Sequence, residues 1–248
     1  MRHILLLCLS LLTVPGLAQQ ATVYYAPSTG WAEPSEHGPQ GASIDLMTWF
    51  VEWLAENHGQ TLTLDFVLEP DWRTFYATVR DSSAGVFGLG NVTITKARKE
   101  ALAFSPGYAH NVALRIAPQD TDWDDLSNLR GASFAGTLHA QRMAQFATPL
   151  DEVHSNAELL ELVAAGSHFA IIDGYNAIQA QAGGMSIVID PDYADGGEQF
   201  GIIMPLDNPW QAQLTEFFDS HGLPDNDRWR DILRHHLGEE IAELMSRP

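Results

Sequence analysis

Apolar residues occur along this chain in two patterns that alternate, short continuous runs and longer segments with helical spacing. Runs of about four to eight apolar residues bounded by turn residues are typical of buried strands. They predict strands at 21–26, 62–69, 84–90, 112–117, 132–136, 169–173, 186–190 and 201–205.

The longer segments predict amphipathic helices. In 43–59, Met47 begins an i, i+3, i+4, i+7 stripe, Ser43 is placed to cap the helix and Gly59 to end it. Asp71 takes the same capping position before the next helix. The predicted helices are 43–59, 71–81, one from Thr95 to about 104, 157–166, 208–221 and 225–237.

This alternation of strands and helices predicts an α/β fold with mostly parallel sheets. Residues 190–197, DPDYADGG, are polar and contain glycine, and they indicate a connection rather than an element. No internal repeat divides the chain.

The first eighteen residues have the pattern of a secretory signal peptide. A basic start at Arg2 precedes an apolar run from Ile4 to Leu12, and Ala18 is placed for cleavage. Cys8 lies inside this segment, so the mature chain is predicted to be exported, free of cysteine and without disulfides.

The charge excludes two classes of partner. The formal net charge is −19, and such a surface repels nucleic acid and anionic membranes. Three of the scarce cations, Lys96, Arg98 and Lys99, nevertheless stand together where a helix is predicted to begin. One interpretation is a solvated helix turn whose charges pair with Glu100 or with a distant acidic residue. The other, which we favour, is an anion-binding site of Arg98 with nearby threonine hydroxyls.

The usual catalytic motifs are missing. The sequence contains no nucleophile elbow, no P-loop and no complete dinucleotide-binding fingerprint. His235 and His236 are adjacent, so they point to different faces of a helix and favour a solvated surface over a metal site. We therefore expect no cofactor, no metal and no enzymatic activity.

The segment GNVTITKARKEALAFSPGY, 90–108, resembles the signature of the family 3 periplasmic solute-binding proteins, the polar amino-acid receptors of ABC importers. Their pattern is a strand, T-I-T-x-x-R, an apolar helix and F-S-x-P-Y. Further segments resemble family landmarks in the expected order, and the similarity covers nearly all of the mature chain. These segments are STGWAEP at 28–34, GASIDLM at 41–47, DWRTF at 71–75, LRGASFAGTLHAQ at 129–141, FAIIDGYNA at 169–177 and GIIMP at 201–205.

The resemblance implies the type 2 periplasmic-binding fold, with two α/β lobes joined by two crossing strands. After the signal peptide at 1–18, lobe one would comprise 19–110 plus 200–248, and lobe two 111–199. The hinges would lie near 108–112 and 193–200.

The resemblance also implies a site for an amino acid. Arg98 would hold the α-carboxylate of the ligand, with help from Thr93 and from the backbone at Gly90 and Asn91. Asp173 would receive the α-ammonium.

Asp173 also ends an apolar strand, where open α/β sheets bind ligands, although a helix N-cap is nearly as good a reading. The resemblance further places the rings of Trp31 and Trp72 against the ligand side chain, and Trp72 could equally be core. In lobe two Thr137 is followed by Leu138 instead of a second hydroxyl residue, and His139 is a candidate to compensate.

The resulting hypothesis is a periplasmic, monomeric solute-binding protein. It would capture a small amino-acid-like or carboxylate ligand between its lobes and deliver it to an ABC permease in the inner membrane. The alternatives are a ligand-sensing partner of a membrane receptor or kinase, and a periplasmic dehydratase-type enzyme built on the same fold, with Asp173 or His139 as its acid or base.

Overall fold

The computed structural model describes residues 19–134 and 137–246, and the predicted signal peptide lies outside these residues. The strands are β1 Gln19–Tyr25, β2 Leu62–Leu68, β3 Val86–Thr93, β4 Ala103–Phe104, β5 Ala109–Pro118, β6 Arg130–Ser133, β7 Leu150–Glu152, β8 His168–Asp173 and β9 Ile187–Met204. The helices are α1 Ala42–His58, α2 Trp72–Asp81, α3 Lys96–Lys99, α4 Leu138–Met143, α5 Asn156–Ala164, α6 Gly174–Ala182, α7 Gln211–His221, α8 Asp227–Leu237 and α9 Glu239–Ser246.

The strands form two parallel groups joined by two long antiparallel strands. In the first group β1 lies between β2 and β3 and is parallel to both. In the second group β6 lies between β7 and β8, again in parallel. Strands β5 and β9 pair with each other, β9 also with β3, and β5 also with β8, all antiparallel. The predicted α/β class with mostly parallel sheets is confirmed, whereas the predicted lobe boundaries stay a prediction.

Helices cover both faces of each strand group. Successive residues of β8 point to opposite faces, as strand geometry requires. Ile172 accordingly packs with Leu159 and Val163 of α5, and Ile171 packs with Met143 of α4. In the first group the larger core lies under α1, α7, α8 and α9, and a smaller one lies under α2.

The predicted connection at 190–197 is wrong, because these residues belong to β9. Within this stretch Ala194 and Asp195 pair with Leu114 and Ala113 of β5, between two shifts of register. Pairing with a neighbouring strand satisfies the backbone groups of a polar segment that has no strand pattern of its own.

Two helix predictions also need correction. The helix from Thr95 ends after one turn at Lys99, because Ala103 and Phe104 are buried as β4 against β9. Helix α1 has Gly41 as its N-cap, and the buried Ser43 does not cap it. Asp71 does cap α2, since its carboxylate accepts a hydrogen bond from Thr74 N at 2.7 Å. Helix α9 was not predicted.

Candidate ligand-binding site

A cavity of about 110 Å³ lies where β1, β3 and β8 end. This volume is several times the space that one water needs, so it suits a small organic molecule. Eight of the nine predicted site residues contribute to its lining. The lining comprises Ala26, Pro27, Ser28, Trp72, Gly90, Asn91, Thr93, Arg98, Phe134, Thr137, Leu138, His139, Asn156, Leu159, Ile171, Ile172, Asp173 and Tyr175.

Arg98 reaches the cavity from α3. Its Nη1 donates to the carbonyl oxygen of Thr93 at 2.8 Å. Its guanidinium lies over two rings of α2, 5.7 Å from the ring centre of Trp72 and 5.9 Å from that of Tyr76. The two rings are stacked 5.4 Å apart, so they form a continuous support for the planar cation.

The positive charge of Arg98 is not neutralised by direct contact with a carboxylate. Within 19–134 and 137–246, no acidic side chain lies at ion-pair distance from it, although most other arginines in these ranges are paired. Burial lowers the pKa of Arg98, which an arginine tolerates without losing its charge. The cavity therefore has a desolvated cation with hydrogen-bond donors to spare.

Asp173 lies at the end of β8 and lines the same cavity as Arg98. It occupies the N-cap position of α6, but its side chain makes no capping hydrogen bond. Asn111 Nδ2 instead donates to its Oδ1 at 2.8 Å, and His139 Nε2 lies 3.0 Å from the same oxygen. Burial alone would raise the pKa of Asp173, but His139 and Asn111 outweigh it, and the pKa lies below its ordinary value of 3.8. Asp173 is thus an anion turned toward the cavity, not a helix cap.

A chain of hydrogen bonds forms one side of the cavity. The hydroxyl of Tyr175 lies 3.0 Å from Ser28 Oγ and accepts from Asn91 Nδ2 at 3.1 Å, and Tyr108 donates to Asn91 Oδ1 at 2.9 Å. Burial, with the charge of Asp173, raises the pKa of Tyr175 to about 12, so its hydroxyl stays protonated at neutral pH. Sequence reasoning missed Tyr175 and Ser28, although Tyr175 follows Asp173 by two positions.

The other predicted residues differ in what they offer a ligand. Thr93 and Gly90 line the cavity, and a Cβ at Gly90 would come within 2.6 Å of the Phe75 ring. Thr137 also lines it, but its hydroxyl donates to Phe134 O and accepts from Ala140 N as the cap of α4. The Thr137 hydroxyl is therefore already used in hydrogen bonds at the start of α4.

The two tryptophans separate. Trp72 lines the cavity and also packs against the core beneath α2, so its part in the core is confirmed and its contact with a ligand stays a prediction. Trp31 is only 1% exposed, lies in the core among Tyr108, Tyr175 and Phe200, and is not part of the lining. The structure does not bring Trp31 to the cavity.

Residues 19–134 and 137–246 contain no cluster of three or more metal-ligating side chains. Over the same ranges, every helix is too short or too polar to span a bilayer.

Solved structures similar to this chain include several amino-acid-binding proteins. The arginine-, lysine- and histidine-binding protein ArtJ from Geobacillus stearothermophilus has a TM-score of 0.71 at 16% identity, over 89% of this chain and 96% of its own. A substrate-binding protein of an ABC uptake transporter from Streptococcus pneumoniae, with bound histidine, has a TM-score of 0.69 at 17% identity, over 90% and 94%. The GluR0 ligand-binding core from Nostoc punctiforme, in complex with L-glutamate, has a TM-score of 0.71 at 15% identity, over 88% and 100%.

No protein-family model and no curated protein matches the sequence. At these identities the structural likeness concerns the fold, and the expectation drawn from the resemblance is confirmed at that level. The chain has the two-lobed α/β fold of the polar amino-acid solute-binding proteins.

Proposed function

We propose that this protein is an exported receptor for a small amino acid or a related carboxylate, which it binds in the cavity between β3 and β8. The observation that carries the proposal is Arg98, a half-buried cation that lines the cavity without a carboxylate partner in the described part of the chain. An arginine can grip a carboxylate with two parallel hydrogen bonds, and a ligand carboxylate would supply the missing counter-charge.

The opposite side of the cavity supports a zwitterionic ligand. Asp173 is ionised there, and the bonds from Asn111 and His139 both reach Oδ1. Oδ2 accepts no hydrogen bond from the described residues and is available for a ligand ammonium. The apolar part of the lining, including Phe134, Leu138 and Leu159, would contact the ligand side chain. A mainly apolar cavity with a few polar groups is typical of small-molecule sites.

The proposal includes delivery to an ABC importer in the membrane. It is supported by the likeness to the Streptococcus pneumoniae substrate-binding protein of an ABC uptake transporter. Export is supported by the basic and apolar pattern of residues 1–18. Binding would favour a closed arrangement of the two lobes, which the importer would recognise.

The binding part is tested by thermal shift with the common amino acids and small carboxylic acids, followed by calorimetry on each hit. Arg98→Ala should weaken binding about 100-fold or more, because it removes a desolvated charge pair. The affinity of Arg98→Lys should lie between those of the wild type and Arg98→Ala, because lysine keeps the charge but loses the two parallel donors of arginine.

Lys96→Ala is the matched control, because Lys96 belongs to the same helix but is exposed and does not line the cavity. It should bind as the wild type does. Equal affinity of the Arg98→Ala protein and the wild type for a confirmed ligand would refute the assigned site.

A further inference from the structure

His139 and the ligand ammonium would use the same carboxylate. His139 Nε2 lies 3.0 Å from Asp173 Oδ1, and the two side chains are only 16% and 19% exposed. Both residues line the cavity. An inference about this pair rests on the proposed function, in which Asp173 receives the amine of the ligand.

The surroundings of His139 define its hydrogen-bonding state. Arg142 Nη1 lies 3.5 Å from His139 Nδ1, and arginine has only donors, so Nδ1 is the acceptor. The hydrogen of a neutral His139 is then on Nε2 and points to Asp173. Arg142 is itself fixed, because it donates to Asp195 at 2.5 Å and to Glu198 at 2.8 Å on β9.

The charged groups around His139 have mixed signs. Asp173 on β8 is in contact with it, and Arg142 on its own helix is the nearest cation. Asp195 and Glu198 of β9 lie behind Arg142, and Arg98 of α3 lines the same cavity. Histidine in general is the side chain whose charge changes between about pH 5 and 8.

We propose that the charge of His139 selects the class of ligand that the cavity binds. With neutral His139 the cavity holds one cation, Arg98, and one uncompensated anion, Asp173, which together match a zwitterion. With protonated His139 the charge of Asp173 is compensated internally, and the cavity has an excess positive charge that matches a carboxylate without an amine. The ratio of affinities for an amino acid and its amine-free analogue therefore decreases as the pH falls.

The test uses matched pairs of probes that differ only in the amine. The pairs are L-glutamate with glutarate, L-leucine with 4-methylpentanoate, and L-phenylalanine with 3-phenylpropionate. Calorimetry on the full protein at about pH 8 and about pH 5 should show the ratio falling by about fivefold to tenfold or more, the usual size of coupling between two sites. In His139→Gln, whose amide remains a neutral donor, the ratio should be independent of pH.

His37→Gln is the matched control, because His37 is exposed in the loop before α1. It should keep the pH dependence of the wild type.

A second measurement needs no variant. When binding enthalpy is compared in buffers of different ionisation enthalpy at about pH 6.5, the wild type should release protons on binding an amino acid and take them up on binding the amine-free analogue.

The outcomes separate the two proposals. The role of His139 is overturned if the ratio of the two affinities does not change with pH in the wild type, or if it changes equally in His139→Gln. In that case, ligand binding that Arg98→Ala weakens still supports the proposed function. If no member of any pair binds at either pH, the proposed function is rejected for these ligand classes, and the role of His139 is rejected with it.

Discussion

At the scale of single residues, Asn91 combines an unusual backbone conformation with three hydrogen bonds. Its φ angle is 50°, in the left-handed region that asparagine enters more readily than most residues. Its side chain is bonded to Ser28, Tyr108 and Tyr175, which lie far apart in the sequence. Asn91 therefore holds together one side of the cavity.

Asn91→Ala should destabilise the protein by about 3 kcal/mol, measured by urea unfolding without ligand. The loss combines three buried or part-buried hydrogen bonds, among them the acceptor of the Tyr108 hydroxyl, and the cost of a left-handed alanine. Asn91→Gly removes the same hydrogen bonds, but glycine adopts the left-handed backbone conformation without the steric cost that alanine pays. Asn91→Gly should therefore be about 1 kcal/mol more stable than Asn91→Ala. Equal stability of Asn91→Ala and the wild type would contradict the network.

At the scale of secondary-structure elements, α1 lies between two glycines with different requirements. Gly41, its N-cap, has φ 126°, and a Cβ there would come within 2.4 Å of the carbonyl oxygen of Trp31. Gly59, its C-cap, has φ 61°, and a Cβ there would meet nothing within 4 Å. The first position is limited by conformation and space, the second by conformation alone.

Gly41→Ala should therefore cost about 3 kcal/mol or more, because the backbone must leave a conformation that only glycine adopts readily. Gly59→Ala is the matched control and should cost about 1 kcal/mol. Urea unfolding of the two variants gives the comparison. If Gly59→Ala destabilised the protein more than Gly41→Ala does, this would contradict the close contact between Gly41 and the carbonyl oxygen of Trp31.

The elements that the sequence predicted well are those whose pattern is local. The stripe of α1, the cap at Asp71 and the apolar run of β8 each depend on neighbouring residues. Asp173 was predicted as a site residue from the family resemblance, and its position at the end of such a run agrees with that prediction. These features need no knowledge of distant partners.

The features that the sequence did not predict depend on contacts between distant residues. Helix α3 is short because β4 pairs with β9, about 100 positions later. Arg142 is held by residues 53 and 56 positions away, and no local pattern indicates this. The resemblance placed the ring of Trp31 against the ligand, but three aromatic partners from distant parts of the chain bury it in the core.

At the scale of the whole molecule, the dominant feature is repulsion between carboxylates. The chain has 32 acidic and 13 basic residues, so most carboxylates have no cation to pair with. Many of the ion pairs present are exposed, such as Arg80 with Asp81 and Arg228 with Glu52, and contribute little. Because the folded state brings these charges closer than the unfolded chain does, the net repulsion destabilises the fold.

Salt should consequently stabilise this protein at neutral pH. Raising NaCl from about 0.01 M to about 1 M shortens the screening length from about 30 Å to about 3 Å, which weakens long-range repulsion more than direct ion pairs. We expect the melting temperature to rise by about 3–6 °C, equivalent to about 1–2 kcal/mol for a chain of this size. Near pH 4.6, the isoelectric point, the same salt series should give little or no rise, because the net charge is then close to zero. A melting temperature that falls with NaCl at pH 7, or rises equally at both pH values, would show that net repulsion does not limit the stability of this fold.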